Sequence, residues 1–511
     1  MTSRRETFFL TAAFLAGAAL LFLNLNGVVY LSQDEARPFT LLESGQLIYL
    51  LSHPFYALTF RQDTVFYLVA FLNLLSLVLF YILCRIALGR KEALWASWVY
   101  AVLPYRIEYS RLLFPGSFME PFFILMILCF WLAASRRDSR WMWGAGVTAA
   151  CTFLIHGMAY ALIAASFAGL LWLGASDRRP FSAREWLSFF LRFTLGFSAL
   201  FLLAVAVLKY AYQYDYAHYF LQFFHGTAKF RNAFKNEPFD YLAGIFTRVA
   251  SSPAGGFAAV AMALSIAALV FLFFKKRERG HGFFLILAFT GAGILFGMSC
   301  LGFNAVFDRH FVWLVFFFSI SAGVAAARLP DLLRGKAKLV PGAVFAVFIL
   351  VCLWQSSLIV RETFKITDIT SFLKKNHVEK KKLLTSWNIY EAGDRGGATL
   401  VPLYLSKKDV HADDLWYTHD VKYSIGWLLI YQGYRAGLCE YILTSGIDFR
   451  VGMGDKEPML AHVTPVASWE HPYSAFAHRS FSQPGTDYKI RLYRLSDIFS
   501  VKNYLEMKKA R

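Results

Sequence analysis

The chain is poor in the features that soluble proteins use. Only 17% of its 511 residues are charged, against 57% hydrophobic and 18% aromatic, too apolar a balance to hide inside one water-soluble core. Six cysteines are present, and five of them (Cys84, Cys129, Cys151, Cys300, Cys352) fall in or at the ends of long apolar runs. That leaves Cys439 alone in the last third, which excludes a disulfide within that region. There is no Asn-x-Ser/Thr acceptor site for glycosylation, a feature that favours a prokaryotic plasma membrane over a secretory compartment. No glycine-rich phosphate loop and no GxGxxG run is seen, and no segment of 20–50 residues repeats.

Long apolar runs are what the chain has instead. A spanning helix needs about 20 mostly apolar residues, because in hydrocarbon every backbone amide must be satisfied within its own helix. Eleven stretches meet or approach that length: 7–30, 65–86, 93–108, 117–134, 141–156, 158–174, 186–210, 254–274, 282–302, 311–328 and 339–360. The run after Arg4 and Arg5 is too long for a signal-peptide core, and no small-x-small site comes after it, so it reads as an anchor. The expected fold class is a polytopic α-helical membrane protein of about 11 transmembrane helices, residues 1–360, with a C-terminal soluble α/β domain, residues 361–511.

Charge orders these runs. Every second spacer is basic, and the six basic spacers, from Arg4 and Arg5 to Arg328, Arg334, Lys336 and Lys338, hold 19 Lys and Arg against 7 acids. By the positive-inside rule that face is cytoplasmic. The N-terminus is then inside, and an odd number of spans leaves residues 361–511 outside. A nucleic-acid footprint would be one basic patch on a folded surface, so no nucleic-acid partner is expected despite the formal net charge of +18. The expected location is the plasma (inner) membrane, multi-pass, with the bilayer as solvent and partner.

The outer face is built from loops 31–64 and 211–253, short turns near 108–117 and 303–310, and the C-terminal region. Residues 31–64 carry apolar positions at helical spacing and read as interfacial helices. Loop 211–253 is rich in Tyr and Phe, as headgroup-level segments are. In the last third, ITDITSFLKKN reads as a helix, and KKLLTSW, EYILTSG and DYKIRLYRL read as strands.

Among outward residues the adjacent carboxylates Asp34 and Glu35 stand out. Such a pair deprotonates an acceptor hydroxyl or holds a divalent cation; the plainer reading is a solvated loop start. His218, His225 and Asp215 do not have metal-ligand spacing. Lys209, near the outer end of the seventh run, snorkels or meets a phosphate.

The segment DEARPFTLLESG, which opens with Asp34-Glu35-Ala36-Arg37, resembles the first-loop motif of the GT-C superfamily of membrane glycosyltransferases, especially the family 39-like relatives of protein mannosyltransferases and aminoarabinose transferases. Arg37 matches the family's basic position. The likeness continues through WASWVYAVLPYRIEYSRLLFPGSFMEPFF, where Pro104, Ser110, Arg111 and Glu120 take the places of a Pro, a Ser-Arg pair and an acid. The family more often has Asp where Glu120 stands. His156 fills a polar break where many relatives have Lys, and Arg309-His310-Phe311 is similar to the Arg-aromatic pair that opens a late span.

The resemblance implies a glycosyltransferase that moves a sugar from a polyprenyl-phosphate donor to an acceptor hydroxyl on a glycan, lipid or protein, with inversion. It implies Asp34 as base with Glu35 beside it. Arg309, His310, Arg111 and His156 would meet the donor phosphate, with Arg37, Glu108, Glu120 and Lys209 as further site residues. No cofactor is required by this chemistry, and a divalent metal at Asp34 and Glu35 stays open. The rival classes are a transporter or flippase and a non-catalytic envelope assembly protein. Ion-coupled transport needs ionisable groups near the midplane, and the central turns of the eleven runs lack Asp, Glu, Lys and Arg.

Overall fold

In a computed structural model the chain is described over residues 3–25, 46–59, 63–111, 115–156, 159–177, 179–212, 255–276, 278–300 and 314–361, and over 372–373, 375–378, 383–385, 440–445, 462–470, 489–500 and isolated positions at 431, 434–435, 437 and 460. It divides into two compact units, one holding 1–23, 43–48 and 68–360, the other 24–42, 49–67 and 361–511.

The first unit is helical. Among the described residues up to 361 the α-helices are α1 (Ser3–Phe22), α2 (Gln46–Thr59), α3 (Asp63–Ala87), α4 (Arg90–Val102), α5 (Pro104–Ser110), α6 (Pro115–Arg136), α7 (Trp141–Ile155), α8 (Ala159–Ser176), α9 (Ala183–Tyr212), α10 (Gly255–Lys276), α11 (Arg279–Cys300), α12 (Leu314–Leu332) and α13 (Leu339–Arg361), of which α2 and α3 contribute residues to both units. Among the described residues six helices, α3, α6, α8, α9, α12 and α13, contain segments long and apolar enough to cross a membrane, and α1, α7 and α10 carry shorter apolar runs.

The third expected run, 93–108, is broken. Leu103 is extended (φ −64°, ψ 121°), and Pro104 begins a separate helix at its first position. A proline cannot continue the amide ladder and pushes the residue before it out of the helical region. The turn expected at 108–117 is therefore partly helix, because α5 reaches Ser110.

Polar residues inside the apolar helices are satisfied locally. Thr148, Thr152, Ser166, Ser319 and Ser321 each donate to the carbonyl four residues back. Helix-to-helix packing relies on aromatic rings and on missing side chains. Phe193, Phe197 and Phe201 stack along α9 at four-residue spacing, Phe167 meets Phe193 edge-on, and Phe130 lies tilted against it. A methyl built at Gly146 of α7 would sit on the Phe193 carbonyl oxygen, and one at Gly196 of α9 would lie 2.6 Å from the Trp143 carbonyl oxygen. The two helices touch backbone to backbone there, the close approach that small residues allow.

One end of this unit is tied by ion pairs. Glu6 meets Arg90 at 2.6 Å, Glu92 meets Arg328, Arg328 reaches Glu278, Arg279 meets Asp177 at 2.7 Å, and Arg137 bridges Asp177 and Glu185. These residues come from all six basic spacers, so the spacers share one end of the bundle. The alternation read from charge is thus a property of the fold. Asp177 is the hub. The Arg279 side chain and the Arg179 backbone amide hold its carboxyl down at about 2.

In the second unit, β1 (Leu383–Thr385), β2 (Tyr441–Ser445), β3 (Ala467–Glu470) and β4 (Lys489–Arg494) form one sheet of order β1-β2-β4-β3, with the short helix α14 (Leu495–Ile498) after it. β1 pairs with β2 in parallel, and β4 runs antiparallel to both its neighbours. Three strands fall on the segments read as strands. β3 is not among them, since ASWE is too short to show alternation. The helix expected at ITDITSFLKKN lies mostly outside the described residues.

Candidate active site

At the end of the bundle opposite the ion pairs, α4, α5 and α6 bring together a buried polar cluster. The break at Leu103-Pro104 separates α5 from α4, and Arg106 of α5 is buried against Tyr100 of α4. Its guanidinium is fully buried and lies 4.0 Å from the centroid of the Tyr100 ring. Arg106 donates from Nη2 to the Asn73 carbonyl at 2.8 Å and from Nη1 to the Tyr100 carbonyl at 3.3 Å. Its Nε is 3.3 Å from Glu120 Oε1 and its Nη2 3.4 Å from Oε2, and the Tyr100 hydroxyl donates to the same carboxylate.

The cluster is braced from behind. Phe80 of α3 stacks on Tyr100 at 4.1 Å and 11°, and Phe316 of α12 meets Phe80 edge-on. Asn73 of α3 donates to the Val69 carbonyl and to the Ser117 carbonyl at the start of α6. Ser117 in turn donates to the Tyr109 carbonyl. Glu120 keeps 11% of its side chain exposed while Arg106 keeps none. The carboxylate is thus a fixed, charge-compensated group with one open edge. Along α6 it stands ~24 Å from Arg136 at the ion-paired end, at 1.5 Å per residue.

Arg111 comes directly after α5. It is 1% exposed and donates from Nη1 to the carbonyls of Leu20 at 2.6 Å and Leu23 at 2.8 Å. These are the open carbonyls at the C-terminal end of α1, where the helix dipole favours a cation. Arg111 therefore fixes the point from which the chain continues toward Asp34 and Glu35. Glu108 is buried on α5, and its carbonyl accepts from the Arg111 amide.

His156 ends α7 in an extended conformation, half-buried, its amide donating to the Thr152 carbonyl and its own carbonyl accepting from the Ala159 amide. It stands at the turn between α7 and α8, on the same end of the bundle as α5. Lys209 is exposed in the last turn of α9, 6.0 Å from the Tyr210 ring. Asp34, Glu35, Arg37, Arg309 and His310 lie outside the described residues. Among the described residues no group of three or more His, Cys, Asp or Glu is placed to hold a metal.

Of the sequence candidates, Glu120 falls in the cluster, Glu108 on α5, which helps build it, and Arg111 directly after α5. Arg106, Tyr100 and Asn73 were missed. Arg106 gave a signal, as an arginine at the end of an apolar run, but its partner 14 residues on was invisible without the fold.

Residues 46–207 match the family model described as dolichyl-phosphate-mannose-protein mannosyltransferase. Among solved structures the chain is similar to ArnT from Cupriavidus metallidurans bound to undecaprenyl phosphate, with 12% identity, 97% of this chain and 98% of that one covered, and a TM-score of 0.60. The same protein in its apo state gives 13% identity, 96% and 97% coverage and a TM-score of 0.55. The archaeal oligosaccharyltransferase AglB from Archaeoglobus fulgidus gives a TM-score of 0.47 at 12% identity, over 94% of this chain and 75% of that one. No curated protein matches the chain by sequence. Residues 46–207 thus resemble that mannosyltransferase family, and the chain as a whole shares the fold of the ArnT structure.

Proposed function

We propose that the chain transfers a sugar from a polyprenyl-phosphate carrier to an acceptor hydroxyl at the extracytoplasmic membrane face, with inversion at the anomeric carbon. The observation that carries this reading is the family match over 46–207, which spans the cluster of Asn73, Tyr100, Arg106 and Glu120. The neighbouring ArnT structure bound to undecaprenyl phosphate supports a lipid-phosphate donor. In this reading the ion-paired end is cytoplasmic, as the positive-inside rule requires, and residues 361–511 lie outside with the acceptor.

Asp34 is the base that takes the acceptor proton as the hydroxyl attacks, with Glu35 beside it or sharing a divalent cation. Arg309 and His310 meet the donor phosphate and offset the charge released on it. His156 and Lys209 lie toward the same side. Arg111 acts at one remove, by holding the helix end that precedes Asp34. Glu120, with Arg106 and Tyr100 on its carboxylate, orients rather than exchanges protons.

The test is purified protein incubated with polyprenyl-phosphate sugars and candidate acceptors, wild type beside Asp34→Asn, with product read by mass spectrometry. Transfer that is lost in the mutant while its melting temperature is kept is the expected result. Absence of transfer from every donor counts against the enzyme, and full activity in the mutant counts against the assigned base.

A further inference from the structure

On the side of the bundle that carries the ion pairs, a groove of about 590 Å³ opens between α7 and α9, lined by Trp143, Arg184, Leu187, Leu191, Arg192 and Leu195. We infer that this groove is a binding site for an anionic phospholipid of the adjoining leaflet, its phosphate held between Arg184 and Arg192 and its acyl chains lying along Leu187, Leu191 and Leu195.

The groove is built, not incidental. The start of α9 is fixed by a capping box in which the Ser182 amide donates to Glu185 at 2.7 Å and the Glu185 amide returns to the Ser182 hydroxyl at 3.2 Å. The backbone contact at Gly146 and Gly196 sets how closely α7 and α9 approach. Ser188 and Ser139 close one side with a hydroxyl bond of 3.0 Å. Trp143 and the three leucines are each between 42% and 58% exposed in the protein alone. They form a wall that only apolar chains suit.

Charge selects the headgroup. Arg192 stands eight residues beyond Arg184, ~12 Å farther along the helix, on a stretch whose other groove residues are mostly leucines. A cation at that depth in lipid is costly unless it is paired. The acids nearby are engaged elsewhere: Glu185 by Ser182 and Arg137, and Asp138 by the Arg140 amide and guanidinium, with Arg192 acting on it only through its field. Among the described residues no carboxylate lies within ion-pair distance of Arg184 or Arg192. A phosphate diester on two chains supplies what is missing, a fixed anion at headgroup level continuous with hydrocarbon.

The test exchanges the purified full chain into detergent with phosphatidylcholine alone, with added phosphatidylglycerol, or with added undecaprenyl phosphate, and reads retained lipid by native mass spectrometry. Wild type should retain phosphatidylglycerol in preference to phosphatidylcholine, and retention should fall about fivefold for each arginine changed in Arg184→Gln and Arg192→Gln. Leu191→Trp, which keeps both charges and fills the groove, should lose the lipid as well. The pair Lys336→Gln and Lys338→Gln, on exposed basic residues elsewhere, should not. Unchanged retention in the arginine variants, an equal loss in the lysine pair, or preferential retention of undecaprenyl phosphate would overturn the assignment. Melting temperatures near wild type show that a loss is local, and if the Gln variants unfold, Leu191→Trp decides.

Discussion

Arg106 and Tyr100 share one carboxylate. The guanidinium lies over the tyrosine ring at 4.0 Å, and both side chains bond Glu120, so cation, ring and anion form a closed set at one end of the bundle. The arginine is fully buried, which makes the set unforgiving: taking away either charge strands the other.

For that reason Arg106→Ala should destabilise the protein by about 3–5 kcal/mol, the usual cost of leaving a buried charge unpaired. Glu120→Gln should cost nearly as much, and Arg106→Met combined with Glu120→Gln should recover part of the loss. Thermal unfolding in detergent checks this through the double-mutant cycle. Additive losses would mean that the pair is not coupled.

The contact between α7 and α9 makes a separate prediction. Because a methyl at Gly146 falls on backbone that belongs to α9, no side-chain rotation relieves it. Gly146→Val should destabilise by about 1–3 kcal/mol or more, whereas Gly342→Val, in open space on α13, should change little beyond its local helix effect. Melting temperatures of the two variants measured side by side decide; equal shifts would deny the tight approach.

At the ion-paired end the sign of a pH effect comes from Asp177. Its carboxyl is lowered from 3.8 to about 2 by Arg279, Arg179 and Arg137. A depressed acid stabilises the fold fully above its unfolded value and loses that contribution as pH falls through the folded one. The melting temperature should therefore carry no Asp177 contribution to change between pH 7 and 5 and should fall from about pH 4 toward 2. Asp177→Asn should lower it at pH 7 and flatten the acid decline, and a parallel decline in both proteins would remove Asp177 as its source.

Much of this arrangement was legible because bilayer chemistry writes simple patterns. Apolar runs of spanning length and a basic residue cluster at every second gap are linear signals, and they anticipated the six spacers that the ion pairs gather at one end. The strand segments KKLLTSW, EYILTSG and DYKIRLYRL were readable for a similar reason, since β-branched and aromatic residues sit between turn residues. The resemblance of the segment around Glu120 to membrane mannosyltransferases was legible through order and spacing, and the family match over 46–207 falls on it.

Composition and near neighbours along the chain thus suffice for its apolar character and for the alternation of its helices. Long-range packing had to add the rest: that Pro104 splits the third run, that Arg106 turns inward onto Tyr100 and Glu120, that Arg111 caps the end of α1, and that Arg184 and Arg192 face a groove beside Trp143. Each is a meeting of residues from separate segments. Its energy comes from desolvating a charge beside a particular partner, and that partner is named by the fold rather than by the chain.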